Sequence, residues 1–364
     1  MKKVLCVFGT RPEAVKMAPL IDEIKKHKDL DLVICVTAQH RDMLDQAMDI
    51  FNIVPDYDLD IMKEGQTLTD ITVNVLKGVE EVLNTERPDL VLVHGDTTTA
   101  MAAALAAFYA GIDVGHVEAG LRTYNIKSPY PEEINRQIID RIAKYLFAPT
   151  EKNERNLIDN LNDGQKVIVT GNTVIDALKN TVRDEYSDEN LDWASGSRMI
   201  LMTMHRRENL GVPMKEVFSG IKKIIEEFPD VKIIYPVHLN PKIKKVAEEV
   251  LGGNNKIRLI NPLGVVDFHN YMKKAYLIVS DSGGVQEEAA AMRKPVLVVR
   301  NTTERTEGIE AGVSRLIGTN INKIVEEMKL LLSDKSIYNK MTQAKNPYGD
   351  GAASGRIVNA ILNG

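Results

Sequence analysis

Short runs rich in Val, Ile and Leu recur along the whole chain, each followed by a stretch with helical spacing, and few folds accommodate that alternation. Runs at 3–8, 32–37, 90–94, 113–117, 145–148 and 167–170 fill the first half, and runs at 199–204, 232–237, 257–260, 277–280 and 296–299 restart the pattern. Strands separated by helices pair in parallel and are covered on both faces. The expected fold is α/β, with two Rossmann-like, doubly wound domains and a central cleft. The boundary is set at 1–170 and 171–351, ahead of the polar segment 183–197 that precedes the restart. A chain of 364 residues, 44% hydrophobic and 27% charged, is long enough to bury two such cores.

Charge and hydropathy then remove several classes of function. A net charge of −5 leaves no basic stripe for nucleic acid. The longest apolar stretch, 101–110, is about half of a membrane span. The apolar run 4–8 is too short for a signal peptide and is followed by Arg11 and Glu13. Cys6 and Cys35 both sit in strand-like runs, as buried reduced thiols do. A cytoplasmic protein with no nucleic-acid or membrane partner is expected.

In open parallel sheets ligands bind beyond the carboxyl ends of strands, so the residues after each run carry the functional information. After 277–280 comes Asp281-Ser282-Gly283-Gly284-Val285-Gln286-Glu287-Glu288. Two glycines at a helix start let a phosphate approach free N–H groups and the positive end of the helix dipole, and Glu288 is placed to accept from ribose hydroxyls. An ordinary strand-to-helix turn with a solvated acidic start fits the same letters. After the first run comes Gly9-Thr10-Arg11-Pro12-Glu13-Ala14-Val15-Lys16, in which Arg11 and Lys16 face either the ligand or solvent. The second glycine of a dinucleotide fingerprint is missing there, which disfavours a nicotinamide site.

Two further strand ends carry ionisable groups at alternate positions, His94-Gly95-Asp96 and His116-Val117-Glu118. Residues two apart share a face of a strand, so Asp96 and Glu118 are expected to point the same way. Paired carboxylates at a partly dry site divide acid and base duties. Glu132 and Glu133 open a helix after Pro131, where the dipole favours carboxylates regardless of function. A metal held by His94, Asp96, His116 and Glu118 is a rival reading, although the spacing matches no standard zinc signature. In the second half His205 and His238 follow successive runs as candidate proton carriers or diphosphate contacts. Arg305 follows the run at 296–299, with a fork suited to oxyanions.

Taken in order, these segments resemble the non-hydrolysing UDP-N-acetylglucosamine 2-epimerases over almost the whole chain. The resemblance rests on Gly9-Thr10-Arg11-Pro12-Glu13, Thr37-Ala38-Gln39-His40-Arg41, His94-Gly95-Asp96-Thr97-Thr98-Thr99 and Gly115-His116-Val117-Glu118-Ala119-Gly120-Leu121-Arg122-Thr123. It continues through Pro129-Tyr130-Pro131-Glu132-Glu133, Gly171-Asn172-Thr173-Val174-Ile175-Asp176, His205-Arg206-Arg207-Glu208-Asn209, Asp281-Ser282-Gly283-Gly284 and Asn346-Pro347-Tyr348-Gly349-Asp350-Gly351.

The resemblance implies a glycosyltransferase-B-like fold whose last helix, 352–364, packs back on the first domain. It implies a homodimer that needs no cofactor and no metal and interconverts UDP-GlcNAc with UDP-ManNAc. UDP would be eliminated from C1 and added back through 2-acetamidoglucal. Asp96, Glu118 and Glu132 match the family's catalytic acids, and His205 its substrate-contacting histidine. Arg11, Lys16, Ser282, Gly283, Gly284, Glu288 and Arg305 match the diphosphate-holding positions, and Phe268 a position near uracil. Gln39, Arg206 and His238 match an allosteric UDP-GlcNAc site in which Gly65 replaces an arginine. A hydrolysing relative, a UDP-sugar-dependent glycosyltransferase of the same fold and a non-enzymatic nucleotide-sugar sensor are the alternatives.

Overall fold

The computed structural model describes residues 1–39, 41–63 and 65–364, so His40 of the second motif lies outside the described residues. The chain forms two compact units, Met1–Asn180 with Gly349–Gly364, and Thr181–Tyr348.

The first unit is built on a seven-stranded sheet of β1 (Lys2–Phe8), β2 (Leu30–Val36), β3 (Tyr57–Asp58), β4 (Leu90–His94), β5 (Asp113–Val117), β6 (Tyr145–Ala148) and β7 (Lys166–Val169). Their order is β3-β2-β1-β4-β5-β6-β7, and every pairing is parallel. The central strands are apolar on both faces because helices cover both: Val4 to Phe8 and all of β4 are buried. Each fully buried Val, Leu or Ile contributes about 1.5–3 kcal/mol. The second unit carries β8 (Arg198–Thr203), β9 (Val231–Pro236), β10 (Ile257–Ile260), β11 (Leu277–Ser280), β12 (Val296–Val298) and β13 (Ser314–Leu316). Its sheet is again all parallel, in the order β10-β9-β8-β11-β12-β13.

Strand order reverses between β1 and β4 in one sheet and between β8 and β11 in the other. Those are the two switch points where such sheets open a crevice for ligands. The residues that follow these strands are Gly9 to Arg11, Gly95-Asp96, Met204-His205 and Asp281 to Gly284.

The division falls after Asn180 rather than after residue 170. Its cause is a polar clasp between the helix Thr173–Thr181 and the returning C-terminal segment. The helix Ala353–Asn363 has no capping side chain of its own at Ala352. Instead the Asp176 carboxylate accepts from the N–H groups of Ala353 (3.2 Å) and Ser354 (3.0 Å), and Lys179 donates to the Gly351 carbonyl. Ala353, Ile357, Val358 and Ile361 form the buried stripe of that last helix, which packs on the helix Arg11–Ile24. Cys6 and Cys35 are buried free thiols, both pushed up to about 12 by burial. Among the described residues no helix is long and apolar enough to cross a membrane.

Candidate functional site

In the first unit the candidate residues gather beyond β1, β4 and β5. Thr10 caps the helix Arg11–Ile24, with Pro12 in its first turn. The buried Glu13 carboxylate accepts from the N–H groups of Gly9 (3.0 Å) and Thr10 (2.8 Å), which locks the turn after β1. Burial raises the Glu13 carboxyl, and its hydrogen bonds with Thr97, Gly9 and Thr10 oppose that shift. Three residues beyond Glu13, just under one turn along, Lys16 reaches Glu118 in a largely buried ion pair. The Asn172 amide donates to the same Glu118 oxygen at 2.7 Å. Asn172 in turn is fixed by the N–H of Val174, which its Oδ1 accepts at 3.0 Å. Glu118 lies just past the end of β5 with φ +70, a conformation that costs a side-chain-bearing residue about 1–2 kcal/mol. Strain of that kind is tolerated where surroundings impose it, and it collects at functional sites.

Alternation along a strand does not explain this arrangement. β4 stops at His94 and β5 at Val117, and the chain turns through positive φ at both Gly95 (+66) and Glu118. Asp96 is held instead by Arg136, whose Nη2 lies 2.8 Å from its carboxylate, and its backbone carbonyl accepts from Asn135 at 2.9 Å. Both partners belong to the helix Glu132–Ile142, which carries Glu132 in its first turn. Glu132 Oε2 is buried with no hydrogen-bond partner among the described residues. Glu133 supports the preceding loop by accepting from the N–H groups of Thr123 (2.9 Å) and Tyr124 (3.0 Å) and from Gln137 (2.8 Å). His116 turns toward Asp140 (2.6 Å) and the Gly95 carbonyl (2.7 Å), so both ring nitrogens are engaged. Burial acts upward on Asp140, but His116 and Arg122 outweigh it and hold the carboxyl below its usual range. Three of the four side chains of the metal reading thus have other partners: Asp96 with Arg136, His116 with Asp140 and the Gly95 carbonyl, and Glu118 with Lys16 and Asn172. Arg11 sits half-buried at its helix start, and Gln39 accepts from Thr99 Oγ1 at 2.8 Å.

The second unit's candidates surround the helix Gly283–Ala291. Its N-cap, Ser282, makes no side-chain cap bond. A Cβ on Gly283 would lie 3.0 Å from Glu304 Oε1 and 3.5 Å from Arg305 Cζ, so glycine leaves room for these two side chains to pack against the helix start. Arg305 is buried, with Nε 2.7 Å from Glu287 and Nη1 3.3 Å from Glu304. Burial acts upward on Glu304, but Arg305, Arg300 and Arg206 together bring it down to about 2. Glu288 Oε2 lies 3.6 Å from His269, whose Nδ1 is 2.7 Å from Thr181 Oγ1. Phe268, on the helix Val265–Lys274, packs half-buried against the apolar cluster behind the glycine turn.

Sequence reasoning missed Asp281 as the organiser of this half. Fully buried, it accepts from the N–H groups of His205 (3.1 Å) and Arg206 (3.0 Å) and from the Asn209 amide (2.9 Å). His205 Nδ1 lies 3.5 Å from the same carboxylate, and its exposed ring stacks 6.0 Å from that of His238. Arg206 approaches Glu304 at 3.8 Å.

The sequence model of UDP-N-acetylglucosamine 2-epimerases matches residues 22–362. The chain belongs to this epimerase family. A UDP-N-acetylglucosamine 2-epimerase of Bacillus subtilis is 55% identical over 99% of this chain and 95% of its own length. Among solved structures, the S. aureus MnaA complex with UDP superposes with a TM-score of 0.93 at 50% identity, covering 100% of this chain and 96% of the other. The Neisseria meningitidis UDP-GlcNAc 2-epimerase bound to UDP-GlcNAc superposes with a TM-score of 0.92 at 46% identity, with 100% of both chains covered. The shared fold of these epimerases is the glycosyltransferase-B-like pair of parallel sheets.

Proposed function

We propose that the protein reversibly epimerises UDP-GlcNAc at C2 to UDP-ManNAc by elimination and re-addition of UDP. The observation that carries this reading is Glu118, a buried carboxylate in a strained backbone beyond β5, held by Lys16 and Asn172. The C2 hydrogen of GlcNAc has no adjacent carbonyl and is hardly acidic. Removing it therefore requires either oxidation of the ring or departure of a group from C1, and the missing dinucleotide fingerprint favours departure. A carboxylate takes the C2 proton while the C1–O bond breaks. The C–H electron pair becomes the C1=C2 double bond of 2-acetamidoglucal, and the C1–O pair leaves on UDP. UDP then adds back at C1 as a proton reaches the other face of C2.

Asp96, Glu118 and Glu132 are assigned the proton transfers. Arg11, Lys16, His205, Ser282, Gly283, Gly284, Glu288 and Arg305 are assigned the nucleotide, through the open helix start and the charges beside it. Phe268 is assigned to uracil. The resemblance extends this reading to a cytoplasmic homodimer. It also extends to weak activation by a second UDP-GlcNAc at Gln39, Arg206 and His238, lessened by Gly65.

Incubation of the purified protein with UDP-GlcNAc alone, followed by NMR of the products, tests the activity. UDP-ManNAc supports it. Free ManNAc with UDP identifies a hydrolysing enzyme, and an unchanged donor in the absence of an acceptor identifies a transferase or a sensor.

A further inference from the structure

His94 is the last residue of β4 and is almost fully buried beside the candidate base. Its Nε2 has no hydrogen-bond partner among the described residues and lies 3.8 Å from Glu118 Oε2. A buried ring nitrogen without a partner costs free energy, so an interaction formed elsewhere in the reaction cycle is the economical explanation.

Chemistry at Glu118 supplies one. The proposed reaction cycles any carboxylate that serves C2 between its ionised and protonated forms, whichever face it serves. Lys16 and Asn172, which both hold Glu118 Oε2, suit only the ionised form of that oxygen. The Lys16 ammonium has donors and no acceptor, the Asn172 amide presents its Nδ2, and the Asn172 carbonyl is committed to the N–H of Val174. A protonated Glu118 needs an acceptor for its O–H. An imidazole protonated on Nδ1 offers one at Nε2, within reach of a side-chain rotation of less than about one ångström.

We propose that His94, as a neutral imidazole, is the positioning residue that accepts the hydrogen bond of protonated Glu118 and so sets the basicity of that carboxylate. The inference rests on the epimerase reading. The proton taken from C2 stays on a Glu118 oxygen, His94 Nε2 contributes a lone pair, and no bond to His94 forms or breaks. The environment keeps the ring in the required state. Burial acts most strongly to lower the imidazole, Glu118 pulls it up, Lys16 and His116 push it down, and the result is about 3. An imidazole so hard to charge does not capture the proton outright, so the proton stays on Glu118 until it exchanges with solvent.

The test compares His94→Asn with His94→Gln, two polar replacements that differ in whether an amide group reaches the position of Nε2. Each is assayed for kcat and KM on UDP-GlcNAc, for the pH dependence of kcat/KM, for UDP affinity by calorimetry and for thermal unfolding. The Asn variant should lose roughly tenfold in kcat, the value of one hydrogen bond made only by the protonated carboxyl, with UDP affinity and KM within about twofold. The acid limb of its profile should move to lower pH, because Glu118 without an acceptor for its O–H is a weaker base. The Gln variant should recover most of the rate and return the limb toward the wild-type position. Unchanged kcat and pH profile in the Asn variant overturns the proposal, as does a loss that Gln does not rescue and that UDP affinity and melting temperature share equally. Wild-type protein that does not epimerise UDP-GlcNAc defeats the underlying reading instead, so the two failures are distinguishable.

Discussion

Replacing Asp281 by Ala removes the carboxylate that fastens the start of the His205 loop to the end of β11. Three donors lose their acceptor at once: the N–H groups of His205 and Arg206 and the Asn209 amide, at 3.1, 3.0 and 2.9 Å. A stranded donor costs about 1–3 kcal/mol where buried, and because the two N–H groups are only partly buried and the Asn209 amide keeps the Val299 carbonyl at 3.2 Å, the total is about 3–5 kcal/mol. The chain supplies its own reporter, since its single tryptophan, Trp193, lies in the same unit between Lys232 (4.7 Å) and Arg258 (4.9 Å). In urea, with a slope of about 2–3 kcal/mol/M, the tryptophan-detected midpoint should fall by about 1–2 M. Asp281→Asn keeps one acceptor oxygen and turns an amide toward backbone N–H groups, so it should fall in between. A midpoint for Asp281→Ala within about 0.3 M of wild type, well below the shift expected from this slope, would refute the view that Asp281 organises the loop.

Arg305→Ala should cost about 1.5–3 kcal/mol of UDP binding, the value of a charged hydrogen bond, and unchanged affinity in calorimetry would remove Arg305 from the diphosphate site. Glu118→Gln and Glu132→Gln should each lower the epimerisation rate by about 10²–10⁴ while UDP affinity changes little, which steady-state kinetics beside calorimetry will resolve. Glu304 is depressed from its ordinary 4.5 to about 2, so its stabilisation is complete above about 4.5 and is lost as pH falls through that window. Urea midpoints read from Trp193 should therefore drop between about pH 5 and pH 3 in the wild type and drop less in Glu304→Gln; equal slopes would count against this pairing.

Periodicity revealed most of the fold because parallel strands buried on both faces announce themselves as unbroken apolar runs. The two strands it missed, β3 with Tyr57–Asp58 and β13 with Ser314–Leu316, are edge strands of two and three residues, too short to show a period. The domain boundary was misjudged because Asp176 and Lys179 bind a segment far away in sequence, near 351–354. The candidate site was legible where a strand end carries a local signature, as in the glycine turn at 283–284 that opens the helix after β11. Its supports were not. Asn172 against Glu118, Arg136 against Asp96 and Asp281 under the His205 loop are long-range pairings that no spacing rule encodes. The shared direction expected of Asp96 and Glu118 from strand alternation failed as an argument because the backbone turns at Gly95 and Glu118 themselves.

Inversion of the stereocentre by removal of the C2 proton with departure of UDP is the step on which the proposed function stands. Turnover in deuterium oxide, followed by NMR and mass analysis of both sugars, tests it directly. Deuterium is expected at C2 of UDP-GlcNAc and UDP-ManNAc alike, because the abstracted proton exchanges with solvent before UDP adds back. Epimerisation that leaves C2 unlabelled in both sugars would contradict it and would point to oxidation elsewhere on the ring.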